Sequence, residues 1–424
     1  MTIHPVSHAP ACGCDTRGRA ALSIDAALTR IAVHARPLEG SEPLPLTRAT
    51  GRILAQPVLA SAMVPPFDNA AMDGYALHAA ALTGTGPWHL QVIDRVPAGR
   101  QAVGDLSAHT AARIFTGAPI PAGADAVVMQ EDVVREGDRL TLRQRPAPGL
   151  NIRKAGSDMA AGSTVLEAGR RLGAREIAVC AAAGAGLVNV APRLRVALLV
   201  TGDELRDPSG SRAGAQIWDV NGPMLAALLK SPAVDLVSQA HAADNRAEVA
   251  GQLAGCAAEA DLVITTGGLS VGEEDHVKPA LTGLGAEILF SGVAIKPGKP
   301  VSFGRLGRTF WLGLPGNPLS AFVTWQVFGT TLVRRLTGRS DPPRMRRHVI
   351  LSEPIRRTPG RCELRPAILD GFDAQGREVV RFEAATHSAR VRTLPATDGL
   401  MFLPAEADYL PAGALVEFQP FCDA

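Results

Sequence analysis

Lysine is rare in this chain, and its positions indicate a site for an anionic ligand. Five lysines stand against 38 arginines, and three of the five, Lys278, Lys296 and Lys299, lie close together in glycine- and proline-rich sequence. Lys154 lies in a similar motif, NIRKAGSDM, whereas Lys230 is typical of an ordinary helix residue. Lysine offers a compact ammonium where arginine offers a planar fork, so this choice favours a phosphate-bearing ligand. The alternative is that an arginine-rich composition left five lysines at random positions.

Three glycine-rich turns are expected at one edge of an α/β sheet. They are TGDEL (201–205), TTGGLSVGEED (265–275) and GLPGNPLS (313–320). Ligands of such sheets bind beyond the carboxyl ends of the strands, where glycine lets the backbone approach and helix-start amides attract anions. None of the turns matches the dinucleotide fingerprint or the Walker A pattern. The candidate ligand-binding residues in them are Thr201, Gly202, Asp203, Gly267, Gly268, Ser270, Pro315, Gly316 and Asn317.

Several carboxylates share this predicted edge: Asp203, Glu204 and the run Glu273, Glu274, Asp275. Crowded like charges are unfavourable unless a cation offsets them. A magnesium ion with oxygen ligands, bridging to ligand phosphates, meets that need, and Lys278, Lys296 and Lys299 would balance the phosphate charge. The alternative for residues 273–275 is that they lie in the first turn of a helix, where the helix dipole favours acids.

A second charged cluster is expected outside the α/β region. The loop PPFDNAAMDGYAL (65–77) contains Asp68 and Asp73, and the NIRKAGSDM stretch adds Arg153, Lys154 and Asp158. Short polar side chains in such loops often hold turns by bonding to the backbone, which is the favoured interpretation for Asp68.

Periodicity divides the chain into segments of different character. The alternation of predicted strands and helices from Arg195 onward predicts a doubly wound α/β sheet with helices on both faces. Short strands broken by glycine and proline predict a β module before it and a small β barrel or sandwich after it. Helices are also predicted over 47–54 and 318–336. The predicted domains are a flexible tail (1–20), an elongated helical domain (21–60 plus 161–192), an inserted β domain (61–160), an α/β domain (193–340) and a C-terminal β barrel (341–424).

Bulk properties exclude some classes of function. A net charge of +2 gives no broad electrostatic field for nucleic acid. No run of 18 apolar residues is present, so no membrane partner is expected, and the first 20 residues lack the pattern of a secretory signal. Six scattered cysteines without zinc spacing favour a reducing cytoplasm, and Cys12 and Cys14 are interpreted as incidental thiols of the tail.

Seven motifs, taken in order, resemble one known family. They are PPFDNAAMDGYA, RIFTGAPIPAGADAVVMQED, NIRKAGSDM, LVTGDEL, TTGGLSVGEED, AIKPGKPVSFG and GLPGNPLSAF. A single motif would be weak evidence, but so many in order are specific. The chain resembles the MoeA family of molybdopterin molybdenumtransferases, which is related to the E domain of gephyrin.

The resemblance implies both an activity and an architecture. Members insert molybdate into adenylylated molybdopterin and release AMP, assisted by magnesium or a similar divalent ion. They have the four-part organisation given above, with the pterin site in the α/β domain. They are homodimers in which the inserted β domain of one subunit faces the α/β domain of the other, so that the active site is shared. An upstream adenylyltransferase and downstream molybdoenzymes are the further partners implied.

The resemblance also assigns residues in this sequence. The functional acids and cations of the family's motifs fall on Asp73, Arg153, Asp158, Glu204, Asp275 and Lys296, with Lys299 next to Lys296. Asp73, Glu204 and Asp275 are the metal-ligand candidates. Asp244, after the second strand of the α/β domain, occupies the place of another functional acid.

This sequence departs from many members of the family at two positions. Many relatives have Ser at the position of Ala70 and Lys at that of Gly292. Loss of that lysine would weaken oxyanion affinity unless Lys278 or an arginine compensates.

Two alternative functions stay open. One is a pterin adenylyltransferase, which uses a similar α/β domain. The other is a scaffold protein like gephyrin, which would bind a partner on the C-terminal β domain.

Overall fold

The chain forms two compact units. The computed structural model describes residues 21–269, 275–340, 346–383 and 388–421. The first unit comprises the described residues up to Glu42, the stretch Gly51–Ala55 and everything from Ala191 onward, and the second comprises Pro43–Thr50 and Gln56–Val190. In chain order the helices α1 to α8 are Ile24–His34, Leu46–Ala49, Ala174–Ala182, Asn221–Leu228, Arg246–Glu259, Val277–Gly283, Pro318–Thr324 and Thr330–Leu336.

The second unit is built around an antiparallel-rich sheet. Strands β1 to β12 are Glu42–Pro45, Val58–Leu59, Asn69–Ala70, Gly74–Leu77, Trp88–Val96, Thr110–Ile114, Ala126–Met129, Val133–Glu136, Arg139–Leu142, Ile152–Arg153, Thr164–Leu166 and Leu187–Val190. Six of them form a sheet in the order β7-β4-β6-β5-β9-β8. Its alternating side chains bury a small core that includes Leu77, Leu90 and Leu140. Of the predicted charged cluster, Asp73 directly precedes β4 of this sheet, and Asp68 directly precedes β3, which pairs with β10 in a separate two-stranded sheet.

The first unit contains a mixed sheet that is parallel in its main part. Strands β13 to β21 are Leu194–Thr201, Leu205–Arg206, Ile217–Trp218, Val234–Ala242, Leu262–Thr266, Glu287–Ser291, Ile295–Lys296, Ser302–Leu306 and Thr309–Leu314. Six of them are ordered β16-β13-β17-β21-β20-β18, and the first four run parallel. Along β13, Leu198 packs in one hydrophobic core with α1, α4 and α8, and Leu199 packs in another with α5 and α6. The predicted doubly wound sheet is therefore confirmed.

The C-terminal strands close into a barrel. Strands β22 to β28 are Arg347–Leu351, Ile355–Arg356, Cys362–Phe372, Glu378–Phe382, Gly399–Leu403, Tyr409–Leu410 and Leu415–Pro420. The pairings β24–β25, β25–β22, β22–β28, β28–β26 and β26–β24 form a ring. The alternating inward residues of these strands fill its core, with Val380, Met401 and Phe418 fully buried. The prediction of a β barrel at this end is confirmed.

Two helix predictions need correction. The helix expected over 47–54 is only the short α2, because Gly51 takes a left-handed φ of +79° and packs against Pro232, which ends the helical path. The helix expected over 318–336 is helical throughout but contains a π-helical turn at Trp325–Gly329 between α7 and α8. Sequence periodicity at 3.6 residues per turn does not indicate such a wider turn.

Gly74 gives a test of the close packing in the second unit. A Cβ on Gly74, in β4, would overlap the carbonyl oxygen of Val128 in the neighbouring strand β7. We expect Gly74→Ala to lower the free energy of unfolding by at least about 2 kcal/mol in urea denaturation, because the two backbones must separate. Gly104→Ala is the matched control, since nothing lies within 4 Å of its Cβ position. Equal stability of the two variants would contradict the packing described.

Candidate active site

The predicted glycine-rich turns meet at one edge of the α/β sheet. Strands β16, β13, β17 and β21 are neighbours and parallel, so their carboxyl ends point the same way. The turns that follow them begin at Ala243, Gly202, Gly267 and Pro315. The amide of Gly267 donates to the carbonyl of Leu314 at 3.3 Å, which ties the second turn to the third. The prediction that separate glycine-rich motifs share one edge is confirmed.

Close backbone approach at this edge depends on glycine. Gly267 has a φ of +94°, and a Cβ there would come within 2.6 Å of the carbonyl oxygen of Thr201 and 2.7 Å of its hydroxyl. Gly316 lies so near that a Cβ added to it would be 3.5 Å from the Cα of Gly267. Any side chain at Gly267 would therefore push the first two turns apart and close the space above them.

Two buried oxygens at the same edge lack a hydrogen-bond partner among the described residues. They are the hydroxyl of Thr201, which is 4% exposed, and the carboxamide oxygen of Asn221, which is 5% exposed. The amide nitrogen of Asn221 donates to the hydroxyl of Thr266 at 2.8 Å and to the carbonyl of Gly316 at 2.7 Å. Buried polar atoms nearly always find a partner, so these two oxygens point to a bound molecule. Sequence analysis named Thr201 but missed Asn221, which begins α4 and resembles an ordinary helix-start residue.

Asp203 and Asp244 hold two adjacent turns together. The amide of Asp203 donates to the Asp244 carboxylate at 3.1 Å, and the amide of Asp244 donates to the Asp203 carboxylate at 3.0 Å. His241 adds a ring-nitrogen contact of 2.8 Å to the carbonyl of Gly202. The two acids predicted here are thus brought together, and the carboxylate of each accepts a backbone hydrogen bond from the other turn.

Of the remaining charged candidates, Glu204 lies in the turn after β13, whereas Asp275 and Lys278 lie at the start of α6. Glu204 is exposed, and its side chain folds back so that a carboxylate oxygen would lie 2.8 Å from a Cβ added to Gly202. Lys278 is half-buried and its ammonium donates to the Ser291 hydroxyl at 3.2 Å. Burial lowers the pKa of Lys278, and the charge of Asp275 opposes that shift. The ammonium therefore lies beside the residue that precedes Gly292. Ser270, Glu273 and Glu274 lie outside the described residues.

Lys296 and Lys299 lie on the segment that connects β18 to β20. The amide of Val293 donates to the carbonyl of Lys299 at 2.9 Å, which closes a turn. Both side chains point into solvent for much of their length, and that of Lys296 is 51% exposed. Lys296 belongs to β19, which pairs with β24 of the barrel. The structure thus gives Lys296 neighbours from two parts of the chain.

In the second unit, the two charged motifs are also brought together. Strand β3 pairs with β10, and the Asp68 carboxylate accepts from the Lys154 ammonium at 2.7 Å and the Ala155 amide at 2.8 Å. These contacts hold the pKa of Asp68 below its ordinary value. Asp68 thus bonds to a backbone amide, as expected, but the amide is 87 residues away, so the carboxylate ties two loops together and does not hold a local turn. Arg153 and Asp158 are exposed on the same segment.

Asp73 is oriented by a residue that sequence analysis did not name. The amide and hydroxyl of Thr116 both donate to one Asp73 oxygen at 2.8 Å, and these bonds lower the pKa of Asp73. Arg113 donates to the carbonyl of Gly74 at 3.0 Å and stacks between the rings of Tyr75 and Phe115. The RIFTGAP motif, which contains both Arg113 and Thr116, is the sequence signal that could have indicated these two residues.

A cavity of about 320 Å³ beside the start of α7 was also missed. Its lining contains two arginines, Arg381 and Arg390, and two glutamates, Glu353 and Glu383, so it offers no net positive charge to a dianion. Its lining comes from separate segments of the barrel and from Leu319, and no single motif indicates it.

Comparison with known proteins identifies the family. Three family models match: the MoeA N-terminal region (domain I and II) over residues 22–184, a probable molybdopterin binding domain over 197–335, and the MoeA C-terminal region (domain IV) over 348–421. The chain is 37% identical over 383 residues to molybdopterin molybdenumtransferase 2 of Mycobacterium tuberculosis, covering 88% of this chain and 93% of that protein. The chain belongs to the MoeA family. It is also 34% identical over 385 residues to the molybdopterin molybdenumtransferase of Haemophilus influenzae, covering 90% of this MoeA-family chain and 94% of the relative.

Solved structures agree with this placement. A crystal structure of the molybdopterin biosynthesis MoeA protein from Pyrococcus horikoshii superposes with a TM-score of 0.81 at 28% identity, covering 95% of this chain and all of that one. Within the described part of this MoeA-family chain, no helix is both long enough and apolar enough to cross a membrane.

The role of Asp244 in this MoeA-family chain can be tested through stability. Its carboxylate accepts one amide bond, and an asparagine oxygen can accept the same bond. We expect Asp244→Asn to keep the wild-type melting temperature and Asp244→Ala to lose about 1 kcal/mol of unfolding free energy. Thermal unfolding of the three proteins checks this. A loss in Asp244→Asn as large as in Asp244→Ala would show that the charge itself is needed for folding.

Proposed function

We propose that this chain transfers molybdenum from molybdate to adenylylated molybdopterin, forming molybdenum cofactor and releasing AMP. The two thiols of the dithiolene form two molybdenum–sulfur bonds, and their two protons leave with one molybdate oxygen as water. A second water cleaves the phosphoanhydride that joins AMP to the pterin phosphate, giving AMP and the pterin monophosphate. The names of the relatives and the geometry of the sheet edge both support this reaction.

The observation that argues most directly for it is the pair of unsatisfied buried oxygens at the glycine-lined edge. The Thr201 hydroxyl and the Asn221 carboxamide oxygen need a partner, and a pterin ring offers amine and ring N–H donors. The neighbouring backbone at Gly267 and Gly316 is bare of side chains, so a flat ring system can approach it. A polar heterocycle therefore suits this edge better than an apolar ligand.

The charged groups around the edge suit the anionic parts of the substrates. Molybdate is a dianion, and cleavage of the phosphoanhydride places extra charge on the departing phosphate. Lys278, Lys296 and Lys299 are cations on the segments next to the edge. We propose that they bind and orient these anions, with Arg153 serving the same purpose. Asp73 and Asp158 would orient water.

We propose magnesium as the cofactor, held by few protein ligands. No group of three or more His, Cys, Asp or Glu side chains within the described ranges is arranged to hold a metal ion. Magnesium commonly binds through one or two carboxylates together with substrate phosphates. The exposed Glu204 and the half-buried Asp275 fit that pattern, with Asp73 as the further candidate. Bound there, the ion would neutralise charge on the phosphates.

The proposed reaction also implies partners and a place in the cell. An adenylyltransferase must supply the activated pterin, and molybdoenzymes must accept the product. We propose a cytoplasmic homodimer whose active site is shared between subunits.

Removing Lys296 tests the assignment of the cation. We expect Lys296→Ala to reduce AMP release from adenylylated molybdopterin and molybdate by at least about 100-fold, because an anion-stabilising donor is lost. Its melting temperature should stay near the wild-type value, since the side chain is half-exposed. Lys230→Ala is the matched control, because Lys230 is exposed after α4 and should keep full activity.

Wild-type turnover by Lys296→Ala would refute the assignment. The proposed reaction would be refuted if the wild-type protein released no AMP from adenylylated molybdopterin and molybdate. It would also be refuted if the protein instead adenylylated free molybdopterin when ATP is supplied.

A shared active site can be tested by mixing two inactive proteins. Asp73 lies in the second unit and Lys296 in the first. If the site combines Asp73 of one subunit with Lys296 of the other, subunit exchange between Asp73→Asn and Lys296→Ala leaves one intact site in each heterodimer. We expect recovery of about a quarter of wild-type AMP release after exchange, as random pairing of subunits in a two-fold dimer gives. No recovery, in a mixture shown by mass spectrometry to contain heterodimers, would mean that each site lies within one chain.

A further inference from the structure

Glu363 is a buried carboxylate in the barrel that the reaction described so far does not use. Its side chain is 2% exposed and lies on β24, directly opposite Lys296 of β19 in a parallel pairing. The amide of Cys362 donates to the carbonyl of Ala294 at 3.0 Å, which fixes this register. The register brings a buried acid of the barrel to a cation on the segment between β18 and β20.

Two buried arginines hold Glu363 in place. The Nε of Arg365 donates to one carboxylate oxygen at 2.7 Å, and the Nε of Arg357 donates to the other at 3.3 Å. Arg357 also donates to the carbonyls of Pro404 and Ala407, so it is itself fixed to the barrel. Burial alone would raise the pKa of Glu363, but these cations and Lys296 hold it below its ordinary value. The carboxylate is therefore charged and rigid.

The distance to Lys296 fits attraction without a hydrogen bond. The Lys296 ammonium lies 3.9 Å from the nearer Glu363 oxygen, beyond hydrogen-bond range but close enough for charge attraction. Such a contact limits where the flexible lysine can place its nitrogen and leaves its N–H groups available to another anion. The half-exposed side chain has room for such an anion on its solvent side.

We propose that Glu363 is a positioning residue for Lys296: fixed by Arg357 and Arg365, it holds the ammonium in the place where the anionic substrate meets it. This inference rests on the proposed function, because it takes Lys296 as a substrate-binding cation. It gives the barrel a direct part in the site. The competing interpretation is that Glu363 serves only to neutralise two buried arginines.

A double-mutant cycle separates these interpretations. We expect Glu363→Gln to lower kcat for AMP release about tenfold in the wild-type background, since small misplacements of a binding group are costly, and to have no further effect in Lys296→Ala. An equal fold-loss in both backgrounds would show a purely structural role and overturn the proposal. So would full activity of Glu363→Gln. If Lys296→Ala turns over too slowly to measure, the same cycle is run on the Kd for adenylylated molybdopterin, by titration calorimetry.

A second acid variant covers the case in which Glu363→Gln does not fold. Glu363→Asp keeps the charge for the arginines but withdraws it by about 1.5 Å, one carbon–carbon bond, from Lys296. It should also lower kcat, and only when Lys296 is present; a loss that persists in Lys296→Ala would overturn the proposal.

Asp261→Asn is the matched control for both acid variants. It removes the carboxylate that pairs with Arg195 at 2.7 Å where β13 and β17 begin, in the α/β sheet rather than the barrel, and it should leave AMP release unchanged. The cycle also separates the two proposals. Wild-type protein that releases no AMP refutes the proposed function, whereas normal turnover without coupling between Glu363 and Lys296 refutes only this inference.

Discussion

Direct backbone contact between neighbouring turns is the constraint on which the site depends. At the carboxyl edge of the sheet, Gly267 leaves no room for a side chain between its own backbone and Thr201. This closeness brings the ends of β13, β17 and β21 together, beside the buried oxygens of Thr201 and Asn221 that have no hydrogen-bond partner among the described residues. A parallel sheet supplies such an edge because all its strands end on the same side. Hydrophobic packing on both faces then keeps the strands in register.

The features that the sequence predicted well are those with a local physical signal. Alternating strands and helices indicated the doubly wound sheet, and glycine-rich turns after buried strands indicated the edge. The clustering of lysine against an arginine-rich background pointed to the segment that contains Lys278 and Lys296. The side-chain-to-backbone bond expected for Asp68 is present, but its partners Lys154 and Ala155 are 86 and 87 residues away, so the sequence indicated the type of bond and not the partner.

The features that the sequence did not predict depend on distant partners. Glu363 lies in CELRPAIL, which is a plausible barrel strand, and only the pairing of β24 with β19 reveals that this acid faces Lys296. Thr116 is 43 residues from Asp73, and Asn221 is 95 residues from Gly316, so neither contact has a local pattern. The π-helical turn at Trp325–Gly329 and the early end of α2 at Gly51 were missed for a related reason. A contact made elsewhere in the fold, or a change of helical period, overrides a local helical pattern.

The contact between Glu363 and Lys296 also gives a physical reason for lysine at a position where this chain elsewhere prefers arginine. A guanidinium in place of the Lys296 ammonium would reach the Glu363 carboxylate with its planar fork and form a paired, hydrogen-bonded contact. Its N–H groups would then be directed into the barrel, away from a substrate. The ammonium at 3.9 Å is attracted to the carboxylate without being bonded to it, so its donors stay available on the solvent side. Composition and geometry therefore lead to the same conclusion: the site needs a cation that is held in place by charge while its hydrogen bonds are left for the ligand.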